Sequence, residues 1–171
     1  MNQIELLNAK SISGDISLPG SKSITNRILL LAALGSGSIS ISGSLESDDT
    51  NYMIEALKKL GVKVKKIGTQ IEILGTHGTF TNNNAELFLG NAGTAYRPLT
   101  AALSLMNGNY LLDGVDRMQE RPIKDLVDAL TQLGANIEYK KNVGFEMSSP
   151  SRFITTGLFN NGHAISKAVR Y

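Results

Sequence analysis

The chain has no cysteine, which excludes disulfides, thiolate metal sites and a cysteine nucleophile. Charge of one sign is also scarce: 17 Lys and Arg face 15 Asp and Glu, a net charge of +2. So small an excess gives no electrostatic case for nucleic acid or an anionic membrane as main partner. Long hydrophobic runs are missing too. The longest, Ile28 to Leu34, is far too short to span a bilayer. The first twenty residues carry Glu5 and Asp15 without a basic-then-apolar layout, so no signal peptide is expected. No Walker, G-x-G-x-x-G or G-x-S-x-G pattern occurs, and no residue spacing suits a metal. The expectation left standing is a cytoplasmic globular protein. Its 171 residues, 42% hydrophobic and 19% charged, suffice for one ordinary domain or for part of a larger one.

What is present alternates between two periodicities. Ile4 to Leu7 and Gly14 to Leu18 read as short strands, Asn26 to Leu34 as a helix stopped by Gly35, and Ser38 to Ser42 as a half-buried strand. Asp48 to Leu60 reads as a second helix, opened by Ser47 and Asp48 and closed by Lys58, Lys59 and Gly61. Val62 to Lys66 and Gln70 to Leu74 form a hairpin. The order then returns: a helix over Thr94 to Leu105, a strand over Tyr110 to Asp113, a helix over Ile123 to Leu133 and a strand over Ala135 to Tyr139. Ala56-Leu57 and Leu60-Gly61 match Ala129-Leu130 and Leu133-Gly134, 73 positions on. Ala32-Ala33-Leu34 matches Ala101-Ala102-Leu103 at an offset of 69. Such close offsets indicate an internal repeat of about seventy residues. The unit predicts an α/β fold in which helices gather inside, with sheets outside or on one face. After Lys141 the period is lost; Val143 to Met147 is expected as the second unit's last strand, and 148–171 as an unassigned tail.

Three clusters carry chemistry. In Leu18-Pro-Gly-Ser-Lys-Ser-Ile-Thr-Asn-Arg27, a Gly/Ser turn opens a helix, whose unpaired N–H groups and dipole favour an anion. Ser21, Lys22, Ser23 and Arg27 add donors and charge at that end, suited to phosphate or carboxylate. A capped helix with two solvated cations has the same composition. Leu89-Gly-Asn-Ala-Gly-Thr-Ala-Tyr-Arg-Pro98 is a second helix start, with small residues for close approach, Thr94 as its cap, Arg97 one turn in and Pro98 in the first turn. A plain Gly turn explains part of this. In Asp116 to Ile123, Arg121 precedes Pro122 and so is extended, its guanidinium directed away from its own helix. Glu120 pairs with it or with another cation, and an exposed surface pair is the ordinary fate of such residues. His77 and His163 read as loop residues, and Asp48-Asp49 as a first-turn helix feature rather than a general base.

Together, the stretch Leu18 to Arg27, Ser47-Asp-Asp49, Phe88 to Pro98 and Met118-Gln-Glu-Arg-Pro-Ile123 resemble the 3-phosphoshikimate 1-carboxyvinyltransferase (5-enolpyruvylshikimate-3-phosphate synthase) family, from about residue 4 to about 141. The resemblance implies βαβαββ repeats of the enolpyruvyl transferase inverse-barrel fold, and transfer of the enolpyruvyl group of phosphoenolpyruvate to the 5-hydroxyl of shikimate 3-phosphate. That reaction releases phosphate on the way to chorismate and aromatic amino acids. It implies no metal or organic cofactor, no nucleic-acid or membrane partner, and a monomer in the full-length family. By similarity, Lys22 contacts both substrates and is the catalytic residue, Ser23 and Arg27 hold shikimate 3-phosphate, and Gly93 and Arg121 bind phosphoenolpyruvate. Asn91, Thr94 and Arg97 shape that pocket. Tyr96 departs from the smaller or unbranched apolar residue usual there.

The family's chain is more than twice as long, which sets further expectations. Residues 1–20 are strands that pair with a second domain, and 21–147 form a partial shikimate-phosphate-side domain of about two repeat units. The second domain, which supplies catalytic Asp, Glu and Lys groups, lies beyond a truncation or frameshift after about residue 141. The competing expectation is a non-catalytic anion-binding remnant.

Overall fold

A computed structural model of the chain describes residues 10–139 and the strand 153–156. The expected strands over Ile4 to Leu7 and Val143 to Met147, His163 and most of the tail lie outside the described residues.

The first unit runs α1 (Lys22–Leu34), β1 (Ser38–Ile41), α2 (Asp48–Lys59), β2 (Lys63–Ile67) and β3 (Gln70–Leu74). Helix α1 starts four residues before the expected Asn26, because Ser21 caps it and Thr25 and Asn26 already belong to its buried face. Helix α2 opens on a capping box in which Ser47 accepts from the Thr50 amide and Thr50 from the Ser47 amide. The hairpin β2–β3 pairs antiparallel from Lys63↔Leu74 to Ile67↔Gln70. Strand β1 takes the other side of β3, giving the order β1-β3-β2.

The second unit runs β4 (Asn84–Phe88), α3 (Gly93–Leu103), β5 (Asn109–Asp113), α4 (Asp116–Gln119), α5 (Lys124–Gln132), β6 (Asn136–Tyr139) and β7 (Phe153–Thr156). Its sheet has the order β4-β5-β7-β6. Within it, β5-β7-β6 repeats the β1-β3-β2 arrangement, so β7 fills the place of β3 in the first unit. The described strand in that place is 153–156.

Two further expectations are corrected. Gly14 to Leu18 forms no strand; Ile16 and Leu18 are exposed. A strand needs a ladder partner, and none lies beside this stretch among the described residues. At an offset of 70 its counterpart in the second unit is β4, which does have one, pairing parallel with β5. The same offset of 70, not 69, aligns the helices: the buried set Thr25, Asn26, Leu29, Leu30, Ala32 and Ala33 of α1 maps onto Ala95, Tyr96, Leu99, Thr100, Ala102 and Leu103 of α3. Burial, rather than residue identity, sets the register of the repeat.

Helices α1, α2 and α3 pack on one another, with α1 against β3 and α2 against β4 and β2. Leu29, Met53, Leu57 and Leu99 are fully buried where they meet, and Ile71, Ile73, Leu87 and Leu112 close the core from the two sheets. Burying each such side chain contributes roughly 1.5–3 kcal/mol. Lys63, Lys65 and Glu72 mark the solvent face of the first sheet. The helices are thus inside and the sheets outside, as the repeat predicts. Among the described residues no helix is long and apolar enough to cross a membrane.

Candidate functional site

Packing the helices side by side brings their starts together. The turn before α1 lies against the chain before α2: a Cβ on Gly20 would collide with the Gly43 carbonyl and the Leu45 amide, so only glycine fits. Thr25 Oγ1 accepts the Leu45 amide at 3.2 Å, and Thr50 Oγ1 donates to the Leu45 carbonyl at 2.9 Å. These bonds fix the start of α1 against that of α2. From α1, Asn26 Nδ2 donates to Thr94 Oγ1 at 2.9 Å, tying in the start of α3.

The residues expected to carry chemistry gather around that junction. Lys22, first in α1, places its Nζ 3.1 Å from Asp49 Oδ2 on α2. Arg27, exposed one turn on, donates to the Ser23 carbonyl at 3.2 Å, which folds its guanidinium back toward the helix start. Gly93 is the first residue of α3. Arg121 reaches across from the segment before α5: its Nη1 donates to the Asn91 carbonyl at 3.1 Å. That nitrogen would stand 2.6 Å from a Cβ on Gly93. Arg97 Nη2 donates to the Pro122 carbonyl at 2.9 Å, locking the two segments together. Lys22 through Asp49, and Arg121 beside Gly93, thus stand at the starts of α1, α2 and α3, with Arg27 one turn along α1 and Arg97 in the second turn of α3. Ser21 and Ser47 cap α1 and α2, but no side chain caps α3. The Gly93 amide donates to the Asn91 carbonyl at 3.0 Å and the Ala95 amide to the Ala92 carbonyl at 2.9 Å, and the helix dipole adds partial positive charge at this end.

Several details differ from expectation. Thr94 does not cap α3; Ala92 is the N-cap, and the Thr94 hydroxyl bonds across to other helices. Pro98 is the sixth residue of α3 rather than part of its first turn, so the Thr94 carbonyl has no helical N–H four residues on. Of the two partners open to Glu120, Arg121 or another cation, it takes the other cation, Arg117, at 2.6 Å. Tyr96, which sequence sets beside the loop, is fully buried, and its hydroxyl donates to the Leu112 carbonyl at 3.0 Å. The helical phase turns its ring into the core, where it lines a small cavity together with Gly93, Arg97 and Arg121. His77 is an exposed loop residue with φ 56. No group of His, Cys, Asp or Glu among the described residues could hold a metal.

Two polar residues at the junction are not expected from sequence as site residues: Asp49, passed over as a helix-start acid, and Asn26. Asn26 had one readable signal, an amide on the face of α1 that otherwise carries Leu29, Leu30 and Ala33. A fully buried amide needs partners, and one of them is Thr94.

Paired helix–strand units with cations at their converging helix starts define an α/β repeat protein. Comparison with known proteins narrows the class. Residues 7–152 match the model of the EPSP synthase (3-phosphoshikimate 1-carboxyvinyltransferase) family. The 3-phosphoshikimate 1-carboxyvinyltransferase of Burkholderia multivorans is 56% identical over 145 residues, which is 85% of this chain and 33% of that protein. That of Paraburkholderia phytofirmans is 59% identical over 133 residues, 78% of this chain and 31% of the relative. The solved EPSP synthase of Acinetobacter baumannii superposes with a TM-score of 0.73 at 26% identity, covering 83% of this chain and 32% of that one. The chain belongs to the EPSP synthase family, and it spans about a third of the length of the curated relatives it matches.

Proposed function

We propose that the corner at the starts of α1, α2 and α3 receives shikimate 3-phosphate and phosphoenolpyruvate, as one wall of a cleft for enolpyruvyl transfer. In that reaction the 5-oxygen of shikimate 3-phosphate bonds to C2 of the enolpyruvyl group. The bond from C2 to the phosphate oxygen breaks, the hydroxyl proton leaves, and phosphate is released. The observation that carries the reading is the convergence of Lys22, Arg27, Gly93 and Arg121 from three segments onto one corner, in a chain of this family. Lys22 is assigned to both ligands, Ser23 and Arg27 to the phosphate of shikimate 3-phosphate, and Gly93 and Arg121 to phosphoenolpyruvate. Asn91, Thr94 and Arg97 shape the second pocket, two of them by holding the starts of α3 and α5 in place. Each charge-assisted contact contributes roughly 1.5–3 kcal/mol, less at exposed positions.

The acid–base groups are assigned to the part of the relatives' length that this chain does not cover. General acid–base catalysis contributes about 10²–10⁴-fold, and positioning between two walls adds more. The chain alone is expected to bind weakly and turn over negligibly. A second reading of the same cationic helix starts is a non-catalytic anion-binding protein, since, among the described residues, an acid, Asp49, and no general base stands with Lys22. Calorimetric titration of shikimate 3-phosphate into the native chain and into a Lys22→Ala/Arg27→Ala variant tests the binding. Heat from the native chain and none from the variant is expected, and equal heats overturn the assignment. Measurable phosphate release with both substrates would refute the second reading and the expected negligible turnover alike.

A further inference from the structure

The reading of Lys22 as a contact shared by two anions leaves unexplained why an acid touches it. Asp49 Oδ2 lies 3.1 Å from Lys22 Nζ, in a corner otherwise furnished with cations. By charge alone a carboxylate there opposes anion binding. Nor is the pair a source of stability, because an ion pair with its lysine side chain 46% exposed contributes little.

The hydrogen bonds behind Asp49 suggest what it does. Asn26 Nδ2 can only donate, and it donates to Thr94 Oγ1 at 2.9 Å. The threonine hydroxyl therefore has its own hydrogen left for an acceptor, and Asp49 Oδ2 lies 3.5 Å away. A carboxylate only accepts. The chain of contacts thus has one direction, from fully buried Asn26 through Thr94 and Asp49 to the ammonium of Lys22. It links α1, α3 and α2 in turn and returns to the first residue of α1. The free side chain of a lysine has four rotatable carbons and no preferred aim. Here one of its three donors is occupied on the protein side, which leaves the other two for a ligand.

We infer that Asp49, set in place by Asn26 and Thr94, is the positioning residue for Lys22, and that it raises anion affinity despite its own negative charge. The inference rests on the proposed role of Lys22, and two measurements keep the two apart. The first needs no ligand. In ¹H–¹⁵N spectra of lysine ammonium groups in the 171-residue chain, assigned by loss in Lys22→Arg, Lys22 is expected to give a distinct, slowly exchanging signal. That signal persists in Asp48→Asn, an equal charge change in the same helix turn, and disappears in Asp49→Asn. In Thr94→Val, which leaves the acid but removes its tether, it weakens. Absence of the signal from the native chain, or its survival in Asp49→Asn, overturns the inference. The second is affinity for shikimate 3-phosphate, expected to fall about fivefold in Asp49→Asn and not at all when Lys22 is already alanine. Tighter binding by Asp49→Asn would mean that Asp49 acts only as a repelling charge. A native chain that binds no shikimate 3-phosphate refutes the proposed function and leaves the spectroscopic test of Asp49 intact.

Discussion

Replacing Gly93 by alanine separates what that residue does for the fold from what it does for a ligand. Its φ lies outside the left-handed region, and it opens α3. Alanine fits that backbone without strain and gains up to about 1 kcal/mol of helix propensity in a helix interior, less at an end. The new methyl would stand 2.6 Å from Arg121 Nη1, where ordinary contact begins at 3.4 Å. Something must retreat by roughly 0.8 Å, and the far end of an arginine does so more easily than backbone. That retreat takes the 3.1 Å bond from Arg121 to the Asn91 carbonyl out of good geometry. Arg121 is exposed, so folding loses little, and the melting temperature should stay within about 3 °C of the native value. A ligand anion is affected more. It would lose part of a contact contributing roughly 1.5–3 kcal/mol, which corresponds to about tenfold weaker binding of phosphoenolpyruvate. Scanning calorimetry and isothermal titration measure the two effects side by side. A melting temperature lowered by more than about 8 °C would show that the backbone yields instead, and unchanged affinity would show that Arg121 is not where the ligand binds.

Two other outcomes follow from groups in the core. Tyr96→Phe removes a buried hydroxyl from the Leu112 carbonyl. It should lower the melting temperature by about 2–4 °C while leaving shikimate 3-phosphate binding unchanged; altered binding would mean that this ligand's site extends to the cavity the ring lines with Gly93 and Arg121. Burial raises the pKa of Tyr110 above its ordinary value of 10.0, so the folded state holds this proton more tightly than the unfolded one. Its contribution to stability is complete below pH 10 and is lost as pH rises through the higher folded value. Urea unfolding of Tyr110→Phe across this range should show a flatter alkaline decline than the native chain, and parallel curves would contradict it.

How much of this was legible in the sequence depends on the range of the interactions concerned. Helices α1, α2, α3 and α5 announce themselves through periodicity and through stops such as Gly35, Gly61 and Gly134, all local signals. Strand β4 does not, because Asn84, Ala85 and Glu86 are poor strand formers and its state is set by parallel pairing with β5, distant in sequence. Gly14 to Leu18 shows the converse: it alternates well, yet has no ladder among the described residues. At the site, the cations were legible as helix-start residues beside Gly and Ser. Asp49 was not, since an acid in the first turn of α2 is already accounted for by the helix dipole. Its contact with Lys22 joins two helices whose approach only tertiary packing decides. The direction of Tyr96 follows from helical phase once Gly93 is known to open α3, because Ala92, Leu99, Thr100 and Leu103 are buried with it.

The central claim is that the helix starts form one anion corner within this chain. Amide chemical-shift mapping tests it most directly, with shikimate 3-phosphate titrated into the ¹⁵N-labelled 171-residue protein. Shifts are expected to concentrate at residues 21–27, 47–50, 91–97 and 121, three of these stretches holding the helix starts joined by Lys22, Asn26, Asp49 and Thr94. Shifts confined instead to the pocket lined by Lys58 of α2 and Lys63 and Lys65 of β2 would contradict it.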